Sequence, residues 1–248
     1  DSEVGFVDVL WVEDDNDDDE VTFQINTRTL GTPGASTDEV YYSEDDNLES
    51  AAHDGISGDN TPQYWDEEVD GTSYDFGEYL YELGLTDNDG DDPLTQLTRP
   101  AQAADYELMV ASNGDFLVNS DGESEADNEA DSALLELTQP SLGEITTHVA
   151  SEASADEDDE LQAVLDAATA RDEVALDDRL IIQVEASGLY GAVVHASGNF
   201  DTLEDGSTLQ TLGTVTGDYT NNQNWNGEGI NFNVEADDTW EEVLSNIA

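Results

Sequence analysis

Apolar residues cluster in short runs along this chain, and acidic blocks separate the runs. FVDVLWV, residues 6–12, is apolar at every position but Asp8, and VTFQI follows at 21–25. Between them stands DDNDDDE, residues 14–20. Alternation and β-branched or aromatic content predict strands over 5–12, 20–27, 39–43, 105–111, 115–119, 133–138, 144–150, 179–187, 191–195, 208–216 and 229–235. Clusters such as DGISGDN and DNDGDD supply turn chemistry between them. Helical spacing appears in three places. Phe76, Leu80 and Leu83 share a face within 73–85, where Gly84 is a natural stop. Leu161, Val164, Leu165 and Ala168 do so behind the acids of DEDDE, and a last short helix is expected over 240–247.

The predicted fold is mainly β, an antiparallel sandwich-like (Ig-like) architecture with two or three short helices in its connections. SEASADEDDE, residues 151–160, reads as a linker, which divides the chain into β-rich domains 1–150 and 151–248, or leaves one continuous domain. The first run raises a particular problem. Phe6, Val7, Val9, Leu10 and Trp11 make it apolar on both faces, so it has to be covered. It either pairs with 20–27 as a hairpin, with the acidic block as the loop, or adds as an assembly strand to a sheet edge of a neighbouring subunit.

Charge changes the picture more than any motif. The chain carries 62 Asp and Glu against four Arg and no Lys, a formal net charge of -58 over 248 residues. Such charge is typical of disordered chains, yet four Trp, nine Tyr and six Phe argue for a packed core. On a globule of this mass, with a surface of about 11,000 Å², acids stand about 13 Å apart. The Debye length is about 10 Å at 0.1 M salt and about 3 Å at 1 M, so this surface suits brine and repels itself in dilute buffer. A halophilic archaeon is the source this composition implies. Four scattered Arg build no basic patch, which excludes nucleic acid and disfavours anionic membranes as partners. Zero Cys excludes disulfides and thiolate metal sites. No run is long and apolar enough to span a membrane directly, and no signal peptide is present.

Catalytic signatures are missing: there is no G-x-S-x-G, P-loop, H-E-x-x-H or G-x-G-x-x-G, so no catalytic residue and no organic cofactor is assigned. His53, His148 and His195 read as packing or surface residues. Clustered Asp is suited to Ca²⁺ or Mg²⁺, at 14–20 and at Asp87, Asp89 and Asp91. Those three fit positions one, three and five of an EF-hand loop, but Asp92 stands where the turn needs Gly and Thr98 where it needs the bidentate acid. A solvated acidic loop is the simpler reading of both. No N-x-[ST] sequon occurs.

Three stretches, INTRTLGT (25–32), PLTQLTRPAQAADYEL (93–108) and LQAVLDAATARDEVALDDRLIIQVEASGLYGA (161–192), resemble the haloarchaeal surface-glycoprotein family with a BGTF surface domain, found in S-layer-like cell-surface proteins. All four cations lie in them: Arg28, Arg99, Arg171 and Arg179. In so acidic a chain, retained Arg residues are expected to act as structural ion pairs. The resemblance implies a non-enzymatic extracellular protein at the cell surface, a self-assembling subunit of a surface layer or filament whose partners are further copies or other surface subunits. Members carry a signal peptide, a Thr-rich stalk and a C-terminal anchor, none of which stands in this sequence. The rival expectations are an adhesin or ligand-binding module, with Tyr41, Tyr42, Tyr64 and Trp65 as an exposed aromatic patch, and a secreted hydrolase.

Overall fold

The computed structural model describes residues 5–96, 101–151, 161–171, 173–198, 200–201 and 209–216. Strand exceeds helix, 34% to 19%, and the strands form several small, mostly antiparallel sheets, so the fold is mainly β. Among the described residues no sheet closes into a barrel. The chain divides into two compact units, 1–137 with 191–248, and 138–190. β11 (Ser141–Ala150) pairs along its length with β13 (Arg179–Ser187), the two strands lying on either side of the boundary expected at 150.

In the first unit β1 (Leu10–Glu13) pairs antiparallel with β4 (Asn47–Ser50), and β2 (Gln24–Ile25) with β3 (Tyr41–Tyr42). The hairpin of 5–12 with 20–27 is therefore not formed. The strand also starts later than expected, and at Val7 a side chain takes the place of a neighbouring strand. The Gln96 amide accepts from the Val7 N–H and donates to the Val7 carbonyl, both at 2.9 Å. A mixed sheet orders β6 (Ser73–Tyr74), β5 (Gln63–Asp66), β8 (Asp115–Val118) and β9 (Ser124–Ala126), with β5 and β8 parallel. β7 (Asp105–Ala111) and β10 (Glu129–Glu136) form a two-stranded ribbon.

Two apolar clusters organise this unit. Tyr64, Phe76, Tyr79, Leu80, Leu94 and Val118 form one; Leu30, Ala35, Val40 and Tyr41 form the other, and Phe6 packs against both. The Tyr64 ring stacks on Tyr79 at 4.0 Å and on Phe116 at 5.0 Å. Helix α2 (Phe76–Glu82) presents Phe76, Tyr79 and Leu80 to the first cluster, the i, i+3, i+4 stripe of a one-sided helix. Asp75 and Glu78 cap it reciprocally, and Gly84, at φ 69°, supplies the left-handed stop. The expected helix is shorter than 73–85 because Ser73 and Tyr74 join the sheet. A short helix, α1 (Thr37–Val40), precedes β3.

The second unit holds the three-stranded sheet β12–β11–β13, with β12 at Thr169–Ala170, and helix α3 (Leu161–Ala167). Two predicted strands are helices instead. Over 191–195 the chain forms α4 (Tyr190–Ser197), in which Ala192 and Val194 are buried, so local β-branched preference yields to tertiary burial. Over 208–216 it forms α5 (Leu209–Val215), where the buried Thr211 and Val215 stand four apart, a helical interval that the Thr-rich alternation conceals. The expected strand 229–235 and helix 240–247 lie outside the described residues. No described helix is long and apolar enough to cross a membrane.

Candidate functional site

The densest polar constellation in the first unit centres on Asp8, where the N-terminal run meets β1. Its Oδ1 accepts the Val9 N–H at 2.8 Å and the Ala52 N–H at 2.9 Å. The Ser50 hydroxyl reaches Oδ1 at 3.0 Å and Oδ2 at 2.8 Å, and the Tyr41 hydroxyl donates to Oδ2 at 2.8 Å. Burial pushes the Asp8 carboxyl above its ordinary range; the Ala52 N–H, the two hydroxyls and nearby His53 oppose it. The same burial, with the charge and hydrogen bond of Asp8, pushes the Tyr41 phenol well up. Asp66 shows the opposite balance. It accepts from the Glu68 and Val69 N–H groups and the Tyr74 hydroxyl, but at the surface these donors outweigh burial and its carboxyl is lowered.

His53 extends the Asp8 hub. Its backbone N–H donates to the Ser50 hydroxyl at 3.0 Å, and its ring spans from the Gly31 N–H at Nε2 to the Ala35 carbonyl at Nδ1. Nε2 is therefore the acceptor and Nδ1 carries the hydrogen. Asp8, Ser50 and His53 do not make a nucleophilic triad: Ser50 is wholly buried, and its hydroxyl is committed to the carboxylate rather than to the imidazole. The hub's chemistry is to hold four chain segments together.

The 25–32 loop is a second knot. Asn26, Thr29 and Leu30 are buried, and the Thr29 hydroxyl bonds the Asn26 and Glu39 carbonyls. The Asn26 amide donates to the Gly191 carbonyl at 3.1 Å, and Ala101 N–H donates to the Leu30 carbonyl at 3.0 Å. A Cβ at Gly191 would fall 2.2 Å from Asn26 Oδ1, so only glycine permits this approach. Parts of all three stretches singled out in the sequence thus meet at one turn.

The other candidates fare unevenly. Asp91 accepts from Asn88, and Asp92 from the Leu94 N–H, while Asp87 and Asp89 are exposed. In the 14–20 block, Asp14 accepts from the backbone of Asp18 and Asp19, and Asp18 from Glu20. Among the described residues, no group of three or more His, Cys, Asp or Glu side chains converges to hold a metal ion. Arg28 is half-buried beside Gly191, Arg171 is exposed with its N–H on the Thr147 carbonyl, and Arg179 donates to the Asp177 carbonyl at 3.2 Å. Arg99 lies outside the described residues.

The proposed aromatic patch is not formed, because Tyr41 and Tyr64 are core residues at 7% and 1% exposure. Tyr42 stacks on Phe200, and Trp65 is exposed with its indole N–H on Asp115. Phe6, Val7, Val9 and Leu10 pack against the chain's own clusters, and Trp11 lies within β1 opposite Glu49. The cover these residues need is supplied within the chain. The alternation of 5–12 marked these residues as needing cover, but nothing in it pointed to Gln96.

Exposed apolar residues occur in both units, at Val110 and Leu134 of the β7–β10 ribbon and on the sheet of the second unit. In the second unit, register places Leu142, Ile145, Thr147 and Val149 of β11 beside Ala186, Val184, Ile182 and Leu180 of β13 on one face, with Glu144 in the bulge beside Ile145 and the Arg171 N–H on the Thr147 carbonyl at its edge. Thr146, His148, Gln183 and Glu185 take the other face. Leu142, Ile145, Leu180 and Val184 are 57%, 65%, 48% and 40% exposed, whereas Val149 on the same face is buried. Each strand was legible in the sequence, but the shared face was not, since a bulge between Leu142 and Ile145 shifts the alternation.

No family model matches the chain, and no curated protein or solved structure matches it.

Proposed function

We propose that this chain is a non-enzymatic structural subunit of a surface layer or surface filament, working outside the cell of a halophilic archaeon. The observation that carries the reading is the pairing of a net charge of -58 with a well-packed aromatic core, a combination that holds together only where salt screens the surface. The resemblance to the surface-glycoprotein family supports the cell-surface role. So does the character of the Asp8 and Asn26 constellations, whose polar groups are directed at the chain's own backbone. In this reading the sheets of the first unit are layers of a sandwich-like, Ig-like body, and Arg28, Arg99, Arg171 and Arg179 are pins of the fold. The subunit's partners are further copies and other surface subunits.

Labelled antibodies on intact and permeabilised cells, followed by electron microscopy of the native envelope, test the reading. Label on intact cells within a periodic layer or filament is the expected result. Label confined to permeabilised cells overturns it.

A further inference from the structure

Residues 112–114 join β7 to β8, and Asn113 at the centre of this short loop is exposed. Its side-chain amide donates to Asp115 Oδ2 at 3.4 Å, a long and therefore weak bond. Gly114 comes next. Its carbonyl is fixed by the Gln63 N–H at 2.8 Å, while its own N–H meets no acceptor among the described residues. A loosely held side-chain amide thus stands beside an uncommitted main-chain N–H, on a residue with no Cβ to obstruct its approach. That is the arrangement from which a cyclic imide closes. Among the described residues no other Asn precedes Gly, and the pair Asn226–Gly227 lies outside them.

We propose that Asn113–Gly114 is a self-modification site, at which the folded chain converts the Asn113 amide into a carboxylate. The Gly114 nitrogen bonds to Cγ of Asn113 and the bond from Cγ to Nδ2 breaks. Nδ2 leaves as ammonia and carries the Gly114 proton with it. Water then opens the imide at one of its two carbonyls, giving aspartate or, with the main chain rerouted through Cγ, isoaspartate. Water is the sole co-reactant, and nothing is oxidised or reduced.

The product changes the surroundings of Trp65. Asp115 accepts from the Asn113 amide on one oxygen and from the Trp65 indole N–H on the other, at 3.0 Å. Conversion replaces the first donor by a like charge, which molar salt screens and dilute buffer does not. To a surface of 62 acids it adds one more, so brine tolerates the change and the chain carries it as a mark of age.

Peptide mapping by mass spectrometry tests this on the full chain held folded in molar KCl. The peptide containing residue 113 should gain about 1 Da with time, in step with released ammonia, and fragmentation should show both aspartate and isoaspartate. Gly114→Ala should slow the gain at least tenfold. The fold accepts that change, since Gly114 is not left-handed and an added Cβ would stand 3.5 Å from the Asn60 carbonyl, an ordinary contact. Asn113→Gln leaves the main chain untouched and lengthens the side chain past the favourable ring size, so it should protect equally. An Asn113 amide that persists in the folded chain overturns the inference. So does conversion at equal rates in the parent and both variants, or conversion only after denaturation in guanidinium.

Discussion

The two apolar clusters of the first unit and the sheet of the second handle apolar residues in opposite ways, and the first unit's β7–β10 ribbon, with Val110 and Leu134 60% and 70% exposed, sides with the sheet. In the first, Tyr64, Leu80 and Val40 are almost wholly enclosed, and the polar side chains of Asp8, Ser50 and Asn26 are satisfied by named partners. In the second, strands of similar apolar content leave Leu142, Ile145, Leu180 and Val184 exposed. Apolar content therefore does not make a core. Closure does, and in the first unit it comes from side chains that cap and bridge: Gln96 on Val7, Asp8 on Ala52, and Phe6 between two clusters.

The largest expected effect is that of salt, and it bears on both units. Dialysis from molar KCl into about 0.05 M buffer lengthens the Debye length from about 3 Å to about 14 Å, comparable with the mean spacing of the acids, and the chain should unfold. Far-UV circular dichroism reads both units, whereas near-UV signal reports mainly the first, since Tyr190 is the sole aromatic residue within 138–190. A cooperative thermal transition surviving in the dilute buffer would refute the salt requirement. Different salt midpoints for the two signals would show that the units melt separately.

The contrast in burial sets the second effect. Leu80→Ala, at a side chain with no exposure, should cost about 2–5 kcal/mol through lost burial and a cavity. Ile145→Ala, on the open face, should change monomer stability by about 0.5 kcal/mol or less. Denaturant midpoints at dilute protein and molar salt decide this, and a large cost at Ile145 would mean the face is closed within the chain.

Asp8 and Asp66 offer a sharper test. Asp8→Ala leaves the Ala52 N–H and two hydroxyls without this acceptor, for about 1–3 kcal/mol of lost stability per buried orphan. The conservative change works with pH. Because the folded-state value of Asp8 is raised, folding takes up a proton there, so its contribution is fully present below the ordinary carboxyl value and is lost as pH rises through the raised one. Asp8→Asn abolishes that loss, and its melting temperature should gain on the parent chain as pH climbs through that window. Asp66, whose value is lowered, contributes above the ordinary value and loses it as pH falls through the lowered one, so Asp66→Asn should lose ground with rising pH. Parallel melting curves for the parent and Asp8→Asn across the acid range would contradict the assignment.

The smallest effect distinguishes two stacked tyrosines. The Tyr79 hydroxyl donates to the Gly122 carbonyl at 3.2 Å, whereas the buried Tyr64 hydroxyl has no hydrogen-bond partner among the described residues. Tyr79→Phe should therefore lose about 0.5–1.5 kcal/mol, and Tyr64→Phe should be neutral or gain up to about 1 kcal/mol. A loss at Tyr64 equal to that at Tyr79 would show that its hydroxyl is bonded.

By itself the sequence determined the quantities that are sums or short-range patterns: the charge, the predominance of strand, the capped helix before Gly84, and strands such as Asp105–Ala111 and Arg179–Ser187, whose periods run for seven residues or more. Tertiary structure alone decided the pairing of β1 with β4, the helices over 191–195 and 208–216, the enclosure of Asp8 and the shared apolar face of β11 and β13. Local preference is a matter of a few tenths of a kcal/mol per residue, so a short β-branched segment yields to whatever burial its neighbours offer. Register and the burial of a single carboxylate depend on groups tens of residues away: Gln96 for Val7, Ala52 for Asp8, Gly191 for Asn26. No periodicity within a segment encodes a partner at that distance, because the partner is selected by the geometry of the closed chain.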